Sequence, residues 1–502
     1  MNNARFETRH LGRRAFLGAG LSAISLAALS ACTTSPALTA VSSRAVLDAE
    51  KARKGTGIVK KLTLRAAPAQ LDLAGKTANT WSFGSVPGPV IRLSAGDTLR
   101  ATVQNDLPAD TSVHWHGVAL RNDMDGVPPV TQSAIASGKE FSYDFIVPHP
   151  GTYWFHPHVG VQLDRGLYGA LIVDDPKEPL NYDEEWVVIL DDWLDGVTST
   201  PDKILKELSG GMGGGKMNMG EMQMGNMLMG ARSPLLGGDA GDVSYPTYLV
   251  NGRPSDDPEV YRSKPGTRVR IRLINAGSDT AFRVALGGHA LTITHTDGFP
   301  VVPADVDSVL IGMGERYDVV TTLGDGVFPF VASAEGKKSA GFAVVRTGAG
   351  QAPAPGVTVT ELTKRVGTAS KLASSSEVRL AARKTDRKIE LTLTGSMMKY
   401  DWAINGRRFD GKNPLASLDT VREGERVQLS FVNKTTMWHP MHLHGHTYQH
   451  PDGGPRKDTS IVLPGQTLRV DFDADNPGRW VAHCHNIYHA ESGMMSVVAY
   501  QA

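Results

Sequence analysis

Cysteine is scarce in this 502-residue chain, and Cys484 is one of only two. It stands in Trp480-Val-Ala-His483-Cys484-His485-Asn-Ile-Tyr-His489-Ala-Glu-Ser-Gly-Met494, between two histidines, five residues before a third and ten before a methionine. One thiolate, two imidazoles (one supplied from elsewhere) and a weak thioether form the ligand set of a blue-copper electron-transfer centre. On an extended strand, successive side chains point to opposite faces. His483 and His485 then share one face while the sulfur of Cys484 takes the other. Such a residue holds one metal and touches, through its neighbours, a second metal site behind it.

That second site needs more imidazoles, and they occur in matching pairs. His114-Trp-His116, His156-Pro-His158 and His442-Leu-His444, within His439-Pro-Met-His442-Leu-His444-Gly, each space two histidines by two residues. With His483 and His485 they give eight candidate ligands on four segments, while His439 and His489 fall to Cys484. His149, His289, His295, His446 and His450 have no partner at ligand spacing and read as ordinary surface or core histidines.

These strings resemble the four signatures of the multicopper oxidase family, H-x-H-G, H-x-H, H-P-x-H-x-H-G and H-C-H-x(3)-H-x(4)-M, over a span from about residue 56 to the C-terminus. The resemblance implies four copper ions. A type 1 copper takes His439, Cys484, His489 and Met494; a type 2 copper takes His114 and His442; a type 3 pair takes His116, His156, His158, His444, His483 and His485. It also implies that a reducing substrate gives electrons near His489 or His439. They pass through Cys484 and His483 or His485 to a cluster where O2 is reduced to water. Asp125, in Asn122-Asp-Met-Asp125-Gly, matches the family's acidic residue near that cluster and suits a proton relay. Many relatives carry a second acid directly after the last type 1 histidine; here that place is Ala490 and the acid is Glu491. Asp452 and Asp458 are candidates for an acid on the substrate side. The strings Thr111-Ser-Val-His-Trp-His-Gly and Arg121-Asn-Asp-Met-Asp-Gly look most like those of mycobacterial-type lipoprotein oxidases linked to copper resistance.

Ligands on four segments require a scaffold that brings distant parts of the chain together, and an internal repeat supplies it. Gly96–Asn105, Gly266–Asn275 and Gly424–Asn433 each run from Gly to Asn through a strand of alternating character. Nine residues further on lie His114 in the first copy and His442 in the third, but Val284, followed by Leu286, in the second. Pro150-Gly151 precedes His156 by the step that separates Pro477-Gly478 from His483, and the middle stretch from Gly326 has no histidine. Pro157 and Leu167 stand in the first copy where Cys484 and Met494 stand in the third, so only the third can build a blue site. Paired segments in the outer copies converge where those two copies face each other. With 54 glycines, 29 prolines and many short alternating runs, the chain reads as all-β. The family resemblance makes the three units tandem cupredoxin-like Greek-key barrels or sandwiches, spanning 56–177, 178–356 and 357–502, with the last boundary at the Pro/Gly linker Gly350–Gly356. Three units complete the cluster, so a monomer suffices.

The first 31 residues hold Arg13-Arg14, Phe16-Leu17 and an apolar run, resembling a twin-arginine export signal. Leu29-Ser-Ala-Cys32 looks like a lipobox, which implies a lipid anchor on Cys32 and a tether over 32–55. The middle unit carries an insertion with Met212, Met217, Met219, Met222, Met224, Met227 and Met229, whose five-residue rhythm matches neither helix nor strand period. Thioethers are soft ligands favouring Cu(I). The insertion therefore reads as a metal-gathering loop, poorly ordered without metal, and similar insertions occur in family members that oxidise Cu(I). Acidic and basic residues balance at 52 each, which gives no reason to expect nucleic acid. Three functions fit: an exported cuprous oxidase of copper tolerance that also takes phenols, aromatic amines or Fe(II), a laccase-like oxidase of phenols or aromatic amines, and a copper store. Storage needs no cysteine-linked electron path.

Overall fold

The Gly-to-Asn repeat forms the same strand three times, as Thr98–Asn105, Arg268–Asn275 and Arg426–Asn433. Each lies parallel to an earlier strand (Val59–Leu73, Glu184–Trp193, Arg387–Thr394) and antiparallel to a later one (Glu140–Ile146, Arg316–Thr322, Thr467–Asp473). The closing asparagine explains why the repeat ends as it does. Asn105 donates its amide to the carbonyls of Ala109 and Ile135, Asn275 to Thr280 and Ile311, and Asn433 to Met437 and Val462. Its side-chain oxygen accepts the N–H of Leu107, Gly277 and Thr435 respectively. A buried turn leaves backbone groups that must find partners, and one buried amide satisfies three of them in every copy.

The second marker is equally regular. Gly151, Gly326 and Gly478 have φ of 145°, 144° and 150°, a region that side chains rarely enter. From each the chain turns into a strand: Gly151–His156, Val327–Ala334 or Arg479–Cys484.

This computed structural model describes residues 37–210 and 222–502, with the backbone alone for 222–224. Residues 37–502 form one compact unit. Residues 59–174 build two four-stranded sheets, residues 184–367 a seven- and a six-stranded sheet, and residues 387–500 a six- and a five-stranded sheet. In the first pair, Leu64, Leu99 and Tyr143 from one sheet pack with Phe155, Leu171 and Val173 from the other. A second core runs on from the middle pair (Val188, Ile271, Phe282) into the third (Leu391, Trp480, Cys484). Val284 and Leu286 lie in the strand Phe282–Leu286, fully buried where the other copies place histidines.

Three local readings differ from the sequence expectations. Within the expected tether, Arg44–Ala52 form a helix capped by the Ser43 hydroxyl. It is docked on the body, since Val46 is buried and Glu50 accepts the N–H of Ile146 at 2.8 Å. After the Pro/Gly run the chain stays with the middle sheets, where Val366–Gly367 adds a parallel strand beside Ser308–Ile311. The passage to the third pair therefore comes later than linker composition suggests. Met222–Met224 and Met227–Met229 form an antiparallel hairpin, with Met222 opposite Met229 and Met224 opposite Met227. The five-residue rhythm is there a three-residue strand plus the two-residue turn Gly225-Asn226. Residues 1–31, Cys32, Met212, Met217 and Met219 lie outside the described residues. Among those described, no helix is long and apolar enough to cross a membrane.

Candidate metal centres

Two strand pairs, one from each outer unit, carry the paired histidines. His114–His116 lies antiparallel to Gly151–His156, with His114 opposite His156. His439–Leu443 lies antiparallel to Arg479–Cys484, with His442 opposite His483 and Met441 opposite Cys484. The two sets interleave: the His114 ring stacks on His444 and the His116 ring on His442, both at 3.8 Å between centroids. His158, at 8 % exposure, is the least buried of the eight.

Each of several rings is held from behind by one nitrogen. His114 Nδ1 bonds the Asp125 carbonyl (2.8 Å), His156 Nδ1 that of Pro157 (2.9 Å), His442 Nδ1 that of Asp458 (2.9 Å) and His483 Nδ1 that of Cys484 (2.8 Å). A ring donating backward from one nitrogen presents the lone pair of the other inward, the arrangement metal-ligating histidines use. The inward atoms are orphaned: Nε2 of His114, His156 and His442, Nδ1 of His116 and both nitrogens of His485 have no hydrogen-bond partner within the protein. His483 Nε2 lies 3.0 Å from His444 Nε2 and 3.5 Å from His158 Nε2. Burial, followed mainly by neighbouring imidazoles, pushes the pKa of His116, His156, His158, His444, His483 and His485 well below the usual histidine value. Neutral rings whose lone pairs converge in a dry space call for cations. Potential ligand atoms gather in sets, among them His114–His442–His444, His114–His116–His156 and His158–His444–His483.

The carboxylates around the cluster divide the work. Asp125 lies within 3.0 Å of His444 Nδ1 and 3.2 Å of His114 Nδ1, at the expected place. Asp458 is not on the substrate side, contrary to expectation. Its Oδ1 is 3.1 Å from His116 Nε2, so that ring turns Nδ1 inward. The buried Arg316 grips Asp458 with both guanidinium ends, at 2.7 and 2.6 Å, and holds its carboxyl well below the usual range against the opposing pull of burial. Asp452 sits exposed in a short turn. Glu491, with Asp110 and His158, lines a cavity of 580 Å³ that reaches the cluster from outside, and burial lifts its carboxyl to about 7.

On the other face of the strand, Cys484 Sγ lies 3.6 Å from His439 Nδ1 and 3.7 Å from His489 Nδ1, and these nitrogens are 3.1 Å apart. All three residues and Met494 are fully buried. Burial pushes the Cys484 thiol far up, so a thiolate here requires a cation beside it. His439 Nε2 bonds the Thr435 hydroxyl at 2.8 Å and His489 Nε2 bonds Asp242 at 2.9 Å, which turns both Nδ1 atoms toward the sulfur. The Trp402 ring packs 4.3 Å from that of His489. His489 rides on the short helix Ile487–Glu491, capped by Asn486.

Asp242, Thr435, Trp402 and Arg316 carry no ligand spacing and escaped the sequence reading. Of the histidines without ligand spacing, four are internally partnered: His289 by Gly324 N–H, His295 by the Thr294 hydroxyl, His446 by the Tyr500 hydroxyl and His450 by the Ser460 hydroxyl.

Family profiles described as multicopper oxidase match residues 66–178, 184–349 and 383–502. The multicopper oxidase MmcO of Mycobacterium tuberculosis is 49% identical over 99% of this chain and 98% of its own length. A copper resistance protein A homolog of Pseudomonas syringae pv. tomato is 30% identical, over 86% of this chain and 90% of its own. A laccase structure from Botrytis aclada superposes with a TM-score of 0.74 at 24% identity, covering 93% of this chain and 92% of that one, which bears on the fold. A multi-copper oxidase structure from Pseudomonas thermotolerans matches with a TM-score of 0.67 at 25% identity, over 89% of this chain and all of that one. Buried thiol, converging imidazoles and these matches agree: the chain belongs to the multicopper oxidase family, as an all-β, cupredoxin-like copper oxidoreductase acting with O2.

Proposed function

We propose that the protein is an exported cuprous oxidase of copper tolerance, coupling oxidation of four Cu(I) to reduction of one O2, with four protons, to two waters. The observation that carries the oxidase wiring is the strand end His483-Cys484-His485. There the sulfur faces His439 and His489, while the flanking rings face His116, His156, His158, His442 and His444. Four coppers, one beside Cys484 and three among the eight imidazoles, would supply one-electron transfer at the first site and O2 reduction at the second.

The chain's own residues do the rest. His439, Cys484, His489 and Met494 hold the type 1 ion, His114 and His442 the type 2 ion, and His116, His156, His158, His444, His483 and His485 the type 3 pair. Cys484 gives electrons a covalent path to either neighbouring histidine. Asp125, against His444 and His114, holds protons at the cluster, and Glu491 delivers them from the cavity beside His158.

Cu(I) as substrate is supported by the methionine hairpin and where it attaches. Leu228 N–H donates to the Asp242 carbonyl at 2.8 Å, and Asp242 carries the His489 imidazole. Thioethers are suited to collect cuprous ions, which makes the methionines of this segment, together with Met212, Met217 and Met219, candidates for passing Cu(I) to the type 1 site. Export by a twin-arginine signal and lipid anchoring through Cys32 belong to the same reading, as do the division into three cupredoxin units and the monomeric state.

Replacing the seven methionines by leucine tests the substrate. Cu(I)-driven oxygen uptake should fall severalfold while turnover of a bulky phenol holds or rises. Equal loss of both activities would favour the laccase-like alternative, and copper uptake without oxygen consumption would favour storage.

A further inference from the structure

We propose that Asp279, from the loop between Arg268–Asn275 and Phe282–Leu286 in the middle unit, which supplies none of the paired histidines, is a positioning residue for the blue-copper ligand His489, fixing that side chain from two directions at once. The proposal rests on reading His439, Cys484 and His489 as type 1 ligands.

The first direction is through the backbone. Asp279 Oδ1 accepts the side-chain amide of Asn486 at 2.7 Å. The Asn486 oxygen in turn accepts the N–H groups of Tyr488 (3.1 Å) and His489 (3.2 Å), which sets the start of the helix that carries the ligand. A neighbouring bond, Ile487 N–H to the Ser278 carbonyl at 3.2 Å, ties the same turn to the same loop. The second direction is through the imidazole. Both oxygens of Asp279 accept the N–H of Asp242 (3.1 and 3.0 Å), and Oδ2 also accepts that of Val243 (3.0 Å). This pins the residue whose carboxylate takes the Nε2–H of His489.

Lys337 makes the arrangement electrically sound. Its ammonium lies 2.8 Å from Asp279 Oδ2 and also bonds the Val243 carbonyl and the Thr280 hydroxyl. Asp279, Asp242, Asn486 and Lys337 are all buried. The carboxylate thus has a full set of partners, and two of its connections end on the two ends of one ligand. A histidine held at its main-chain N–H and at ring Nε2 cannot turn freely, so Nδ1 keeps its direction toward Cys484 Sγ. Hydrogen bonding around such a site tunes both its affinity and its potential. The middle unit therefore serves the metal of its neighbour through a carboxylate that never touches it.

The test uses the full-length, copper-loaded protein carrying Asp279→Asn, Lys337→Met, Asn486→Ala, or Asp279→Asn together with Asn486→Ala. The readouts are the thiolate-to-copper absorption band, the type 1 EPR splitting, the type 1 potential, and loss of type 1 copper to a chelator, with the type 2 EPR signal as internal reference. Expected for Asp279→Asn are a displaced band, splitting and potential, and type 1 copper lost about 10–100-fold more readily, with the type 2 signal unchanged. The double variant should be less than additive, because the two residues share one path. Wild-type band, splitting, potential and retention in a folded Asp279→Asn protein overturn the proposal, as does parallel decay of the type 1 and type 2 signals. If Asp279→Asn does not fold, Asn486→Ala decides, and unchanged type 1 parameters there overturn the proposal. Absence of any thiolate band from the wild-type protein would instead remove the type 1 reading itself.

Discussion

The strand Phe282–Leu286 holds the place in the middle unit that His114–His116 holds in the first and His439–Leu443 in the third. All three follow a buried asparagine with the same bonds, and their units share the same unusual glycine geometry. The outer two bury imidazoles whose lone pairs have no partner, and the middle one buries Val284 and Leu286. The scaffold is thus independent of the metal, since it persists in full where no ligand is present. Relieved of ligands, the middle unit has taken another task. It sends Arg316 to Asp458 at the cluster and Asp242 to His489 at the blue site.

The comparison is broken most severely at the residue that separates the third copy from the first. Cys484→Ser should abolish the blue absorption and lower oxygen consumption by more than the ~10–100-fold typical of losing an outer partner of a metal site; spectra and oxygen electrode traces check this. Next comes the support lent by the middle unit. Arg316→Met leaves Asp458 charged, buried and without its bidentate partner, at a cost of about 3–5 kcal/mol. Calorimetry should show the lowered transition, and the type 2 EPR signal should change while the blue band stays.

Smaller effects sharpen the comparison. Asn105→Ala, Asn275→Ala and Asn433→Ala each strip partners from buried backbone groups, at about 2–3 kcal/mol. If the scaffold is independent of copper, denaturant midpoints of the metal-free variants should fall alike, the middle one included. Val284→His places an imidazole in the ligand position of the middle copy but with no companions. It should cost about 1–3 kcal/mol for an unpaired buried polar group, and metal analysis should find no added copper.

Most of the site was legible in the sequence because the chemistry demands particular side chains and the strand demands a spacing of two. His114 and His116, or His483 and His485, share a face because their interval is even, and an interval of two also keeps the rings adjacent. The repeat was legible because Gly and Asn do jobs few residues can replace. Arg316, Asp242 and Asp279 were not legible, since another unit brings them in, Arg316 from the start of a strand and the other two from loops, and nothing periodic marks their positions. Asp458 was misplaced for a related reason. It immediately precedes the strand Thr459–Val462, which runs antiparallel to His439–Leu443 with Thr459 opposite His442, and this sets Asp458 beside the cluster instead of the substrate side. The methionine hairpin hid because its two strands are only three residues long, too short for a period to emerge.

The register of Arg479–Cys484 against His439–Leu443 has one more consequence. Side chains on a strand choose between two faces, so a single inserted or deleted residue upstream of Cys484 would exchange the addresses of sulfur and imidazole together. Unless a β-bulge absorbs the change, as the register shift between Ile293 and His295 does elsewhere, both centres are impaired together. Change in this enzyme is therefore confined to substitutions and loop lengths, while this short segment must be inherited letter for letter in its spacing.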